Sequence, residues 1–71
     1  MNTYLLPYEC DGEVLLAHTI ATNRNDAEER FADKLCTKYE LDIYTLGWEN
    51  FVKEAKEYDI LLGDIYDIDE F

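Results

Sequence analysis

The 71-residue chain contains no Ser and no Gln, one His, one Pro, three Gly, two Cys and only six basic residues. Without Ser there is no serine nucleophile. One His and two isolated Cys leave little material for covalent or acid–base catalysis, so the expectation is a protein that is not an enzyme and needs no cofactor. A secreted mini-protein of this size normally carries four or more cysteines; Cys10 and Cys36 therefore read as reduced thiols packed as small apolar groups. The longest apolar runs, such as Ile60 to Leu62, are far too short to span a bilayer. No basic-then-apolar segment opens the chain as a secretory signal would. These absences place the chain among soluble cytoplasmic proteins without a membrane partner.

What is present is acid. Seventeen Asp and Glu against six Lys and Arg give a formal net charge of -11, yet 48% of the residues are hydrophobic, including six Tyr, three Phe and one Trp. A disordered acidic tail lacks those apolar groups, because it never buries enough surface to offset chain entropy. The composition thus describes one small folded domain over residues 1–71, near the lower size limit for a single core, which a homodimer would enlarge. A strongly negative surface repels nucleic acid, whose binding needs Lys and Arg to release counterions, and attracts basic proteins.

The pattern along the chain is α+β. Two apolar runs, Tyr4 to Glu9 and Glu13 to Thr22, flank Cys10-Asp11-Gly12, and Asp-Gly is a strong hairpin signal. Pro7 cannot donate to a ladder, so the first strand reads as an edge strand or as broken by a bulge. In the second strand Val14, Leu16, His18 and Ile20 share one face; Leu15, Ala17, Thr19 and Ala21 share the other. His18 reads as half-buried and hydrogen-bonded, since no second ligand stands at metal spacing. Asn25 and Glu28 form a capping-box pair ahead of a stripe of Ala27, Phe31, Leu35 and Tyr39, which predicts an amphipathic helix packed on the hairpin. Leu41 to Leu46 alternates as a short strand would. Trp48, Phe51, Val52 and Ala55 predict a second helix over roughly 46–58. The last residues read as a strand at 59–62 or 64–68, or as an acidic tail held by Ile65, Ile68 and Phe71.

All six bases lie between Arg24 and Lys56. Arg30, Lys34 and Lys38 form one helical row beside Asp26, Glu29 and Asp33, an ordinary mixed surface. The surplus acid collects instead on the hairpin turn (Glu9, Asp11, Glu13) and in the C-terminal third (Asp59, Asp64, Asp67, Asp69, Glu70), interleaved with Tyr8, Tyr58 and Tyr66. Acid with Tyr is the chemistry of a surface that docks on Arg and Lys; the alternative is solvated acid around Tyr residues that complete a thin core. The carboxylates from Asp64 to Glu70 lack the Gly and Glu spacing of an EF-hand, so no metal site is expected.

In size, charge, the Tyr4-Leu5-Leu6-Pro7-Tyr8 to Asp11-Gly12-Glu13 hairpin and the Asn25-to-Phe31 capped helix, the chain resembles the small acidic phage-encoded inhibitors. These include the DNA mimics, among them uracil-DNA glycosylase inhibitors, and the compact anti-CRISPR proteins. The resemblance covers the whole chain in general character and transfers no individual residue. It implies a non-catalytic inhibitor, acting in the host cytoplasm, that occupies the basic channel of a nucleic-acid-handling protein. On that expectation the acids at 9, 11, 13, 59, 64, 67, 69 and 70 stand in for phosphates, and Tyr8, Tyr58 and Tyr66 are the anchors. The rival classes are a structural or adaptor subunit with an apolar interface through Trp48, Phe51 and Phe71, and a carboxylate-based metal-responsive protein.

Overall fold

The computed structural model describes residues 1–44 and 47–70, with the side chain of Glu70 outside that description. The N-terminal hairpin is as expected. Strands β1 (Asn2–Cys10) and β2 (Glu13–Ala21) pair antiparallel in one unbroken register from Asn2↔Ala21 to Cys10↔Glu13. Asp11 and Gly12 make the turn with φ of 53° and 81°. Two successive positive φ values define a type I′ turn, whose twist matches that of the strands it joins. Helices α1 (Arg24–Tyr39) and α2 (Trp48–Lys56) follow, then β3 (Ile60–Leu62), β4 (Tyr66–Asp67) and a closing turn of 3-10 helix at Ile68–Glu70. The fold is α+β, with the helices laid on one face of an antiparallel sheet ordered β2-β1-β3, where β4 also pairs with β1.

Strand β1 is therefore central, against the expectation that Pro7 would push it to an edge. A two-residue hairpin makes Cys10 and Glu13 a hydrogen-bonded pair, so the even residues of β1 bond β2 and the odd residues face the C-terminal strands. Pro7 is odd. Its missing N–H falls on the β3/β4 side, and the partner chain breaks there instead. The register runs Tyr8↔Leu62 and then Leu5↔Tyr66, so β1 advances three residues while its partner advances four. That one extra residue is a bulge. The Gly63 N–H still donates to the Pro7 carbonyl at 2.8 Å.

The cap of helix α1 lies two residues before the expected one. Asn23, extended at φ -160° and ψ 179°, accepts from the Asp26 N–H at 2.9 Å. Asp26 reaches back to accept from the Thr22 N–H at 3.0 Å and from Arg30 Nε at 3.1 Å. The Thr22 bond, with help from Arg30, holds the Asp26 carboxyl below the usual carboxylate range. The cap is thus Asn23, with Asp26 bonding the Thr22 N–H just before it, and Asn25 lies inside the helix. Leu41 to Tyr44 forms no strand, and Thr45 and Leu46 lie outside the described residues. Both flanks of β1 are already taken, so this alternating segment has no central edge to join; Leu41 and Ile43 pack on the core instead.

Leu6, Phe31 and Ile60 are the largest fully enclosed side chains, joined by Tyr4, Tyr8, Leu35, Phe51, Ala55 and Ile65. The Tyr8 and Tyr39 hydroxyls bond each other at 2.8 Å, and the rings meet edge to face. Burial, with the Tyr8 contact, raises the Tyr39 pKa well above the ordinary phenol value. Among the described residues no helix is long and apolar enough to cross a membrane.

Candidate protein-docking surface

The pleat that sends Tyr4, Leu6 and Tyr8 inward sends Thr3, Leu5, Pro7 and Glu9 to the opposite face. Register then sets Ile20 beside Thr3, His18 beside Leu5, Leu16 beside Pro7 and Val14 beside Glu9. On the other flank Leu61 faces Glu9 and Tyr66 faces Leu5. The result is a largely apolar sheet face, interrupted by Glu9 and His18, that the helix layer leaves open. Val14, Leu16 and Ile20 are 79%, 61% and 56% exposed, and Leu61 and Tyr66 are also exposed. A half-covered antiparallel sheet ordinarily turns polar residues to water, and a contiguous exposed apolar patch marks an interaction site. His18 stands in this patch, exposed rather than half-buried; its backbone carbonyl accepts from Lys34 Nζ at 2.7 Å.

The acids gather at the turn end of the sheet and along its C-terminal edge. At the turn end, Cys10↔Ile60 pairing brings Asp59 beside the hairpin turn. Glu9, Asp11 and Asp59 line a shallow hollow of about 300 Å³ with Leu61, and Lys56 from the end of α2 joins them. Glu13 is exposed at the start of β2. Asp59 itself reverses the chain with φ 61°. The expected base-free turn cluster thus includes one ammonium, which sequence distance hid. Along the C-terminal edge, Asp64 is exposed at the break between β3 and β4, beside the middle of β1, and Tyr66 is exposed opposite Leu5, as is Tyr58 after α2.

Three expected contact residues have other work. Tyr8 is only 4% exposed, because the inward side of β1 carries it into the core; it is no surface anchor. Asp67 accepts from Asn2 Nδ2 at 2.8 Å and from the Asp69 N–H at 3.0 Å. Asp69 accepts from the Thr3 N–H at 2.6 Å, an odd-residue donor of β1 with no strand opposite it. These two carboxylates fasten the last segment to the first strand. Among the described residues no three Asp, Glu, His or Cys side chains converge as metal ligands would. Burial, and then Asp33, raises the Cys36 thiol pKa, which keeps it protonated and unreactive.

Helix α1 holds a feature that reading it as a mixed surface missed. Two of its bases reach the sheet, Lys34 to the His18 carbonyl and Lys38 to the Tyr8 hydroxyl at 3.3 Å, while Arg30 and Arg24 pair along the helix with Asp26 and Glu28. The opposite flank, with Asn25, Glu28, Glu29 and Ala32, borders a groove of about 250 Å³ whose other wall is Trp48 and Phe51 of α2. The signal was present in the heptad-like spacing: 30, 34 and 38 fall on one side of the helix, and 25, 28, 29 and 32 on the other. No protein-family model, curated protein or solved structure matches the chain, so its function is read from this geometry.

Proposed function

We propose that the protein is a non-catalytic inhibitor or sequestering protein that binds a basic, nucleic-acid-handling partner. The observation that carries this reading is the uncovered, largely apolar face of the sheet, bordered by acid at its turn end and on its C-terminal edge. Val14, Leu16, Ile20, Leu61 and Tyr66 supply area that a partner can desolvate. Glu9, Asp11, Glu13, Asp59 and Asp64 supply the charge that steers a Lys- and Arg-bearing surface into register. An apolar centre is needed because exposed charges alone are screened beyond about 8 Å at physiological salt. The net charge of -11 supports a basic partner over nucleic acid. The resemblance to small acidic inhibitors of the DNA-mimic and anti-CRISPR kind points the same way.

The test is capture of partners from bacterial lysate by tagged protein and by its Leu16→Asp variant, at about 0.1 M and about 0.5 M salt, a change that shortens the Debye length severalfold. The expected result is a basic nucleic-acid-binding protein, released by salt or by competing DNA and lost with Leu16→Asp. Capture indifferent to salt, DNA and the substitution overturns the proposal.

A structural subunit that pairs through the same sheet face is the second reading, favoured by one observation: of the nine residues of β2 only Glu13 is acidic. Of the aromatic interface expected for such a subunit, Phe51 is buried in the core, Trp48 is half-exposed and Phe71 lies outside the described residues. A salt-insensitive dimer in sedimentation, dissociated by Leu16→Asp, would select this reading.

A further inference from the structure

We infer that the groove between α1 and α2 is a receptor for a single arginine side chain of the partner, a statement that rests on the basic-partner reading and adds a second contact on the helix layer. The groove's floor is aromatic. Trp48 and Phe51 stack with centroids 5.5 Å apart at 22°, and Phe51 is buried while the indole is half-exposed. Its α1 rim is anionic, with Glu28 and Glu29 one residue apart. Glu29 has no counter-ion among the described residues, and Glu28 holds only a loose pair with Arg24 at 3.7 Å. Of the other bases of α1, Arg30 is held by Asp26 and Lys34 and Lys38 reach the sheet, so Glu29 is left for an outside cation and Glu28 can share one with Arg24.

Size and chemistry narrow the occupant. At about 250 Å³ the groove is smaller than the cleft that takes a drug-sized ligand, but it admits one long side chain. An anionic rim excludes phosphates and carboxylates. A flat guanidinium can lie on the indole face, where the ring quadrupole attracts it, while its forked N–H groups donate to the two carboxylates. A lysine ammonium satisfies the charge but neither the stacking nor the fork. A second hollow adjoins the groove along α1, past Asp33 and Cys36 toward Ile43 and Tyr44, so residues on one side of the inserted arginine have a surface to follow.

The chain has one Trp, which makes Trp48 a reporter of the site itself. The probe is a blocked Gly-Arg-Gly peptide titrated against the protein while indole fluorescence is followed, with the same peptide carrying neutral, isosteric citrulline as control. Saturable change is expected with arginine in the millimolar range, where about 1 mM corresponds to only about -4 kcal/mol, and none with citrulline. Glu29→Gln should weaken binding about two- to fivefold, in line with an exposed ion pair, and Glu28→Gln with Glu29→Gln more than either alone. Glu54→Gln, an exposed acid on α2 outside the groove lining, should leave it unchanged. No response up to about 50 mM peptide, an equal response to citrulline, or equal weakening by Glu29→Gln and Glu54→Gln overturns the inference. The titration needs no partner protein, so it can fail while partner capture succeeds, and the reverse.

Discussion

Replacing Gly63 by Ala tests the account of the broken third strand. The φ of Gly63 is not in the left-handed region, so backbone conformation raises no objection to a side chain there. On entropy alone Gly→Ala at such a site stabilises by about 0.4–1 kcal/mol, through the unfolded chain. The structure reverses that sign. A β-carbon on Gly63 would lie 2.8 Å from the Pro7 carbonyl oxygen and 3.1 Å from the proline ring. The oxygen is backbone of the central strand and already accepts from the Gly63 N–H at 2.8 Å. Relief requires the strands to part, with loss of most of that hydrogen bond at about 0.5–1.5 kcal/mol and overpacking strain of about 1–3 kcal/mol. Less the entropic gain, the net cost is about 0.5–4 kcal/mol, with about 2 kcal/mol at mid-range. For a domain of this length each kcal/mol lowers Tm by about 4–8 °C, so a fall of about 5–20 °C is expected. Thermal melts followed by circular dichroism and by Trp48 emission measure it. An unchanged or raised Tm would refute the close approach and, with it, the claim that Pro7 sets the position of the bulge.

Asn23→Ala removes the acceptor that caps α1 and should cost about 1 kcal/mol, read from urea melts; Asn25→Ala, inside the helix, should cost less than half as much. Asp26 has a folded pKa below its unfolded value near about 3.9, so its contribution is complete above that pH and is lost as pH falls through the folded pKa. Wild-type stability should therefore drop more steeply than that of Asp26→Asn on acidification below about pH 4, and parallel acid titrations would contradict the Thr22 and Arg30 contacts. Asp69→Asn weakens the acceptor on the Thr3 N–H, and amide exchange at Thr3 should quicken by about tenfold while exchange at Leu6 in the core is unchanged. Tyr39 has a raised folded pKa, so stability is complete below about pH 10 and falls as pH rises above it; Tyr39→Phe should flatten that alkaline loss.

The parts of this fold that local chemistry specifies were legible. Asp11-Gly12 demands a type I′ turn, and Ala27, Phe31 and Leu35 demand an inward helical stripe. The outer sheet face was not legible, because β2 is apolar on both sides. Val14, Leu16 and Ile20 are the larger set, and size alone would assign them to the core. Helix α1 instead packs over the set containing Ala17, Thr19 and Ala21, and Ala21 and Ala27 are fully buried where helix and strand draw close. Small residues allow that approach, and the bulky set is left to water. The pairing of Asn2 with Asp67 and Thr3 with Asp69 was equally hidden, since nothing local links residues 65 and 66 positions apart. Those distant bonds are what turned expected partner-binding carboxylates into structural ones.

The same two fastenings fix the geography of any attached polypeptide. Asn2 and Thr3 lie against Asp67 and Asp69, so chain entering before the first strand and chain leaving after the last turn pass through one corner. The Asp11–Gly12 turn lies at the far end of β1, about 20 Å or more away at strand rise. A label, tether or neighbouring domain at either terminus would crowd only that corner. A short linker could join the two ends at that corner, away from the acidic turn at the far end of the sheet.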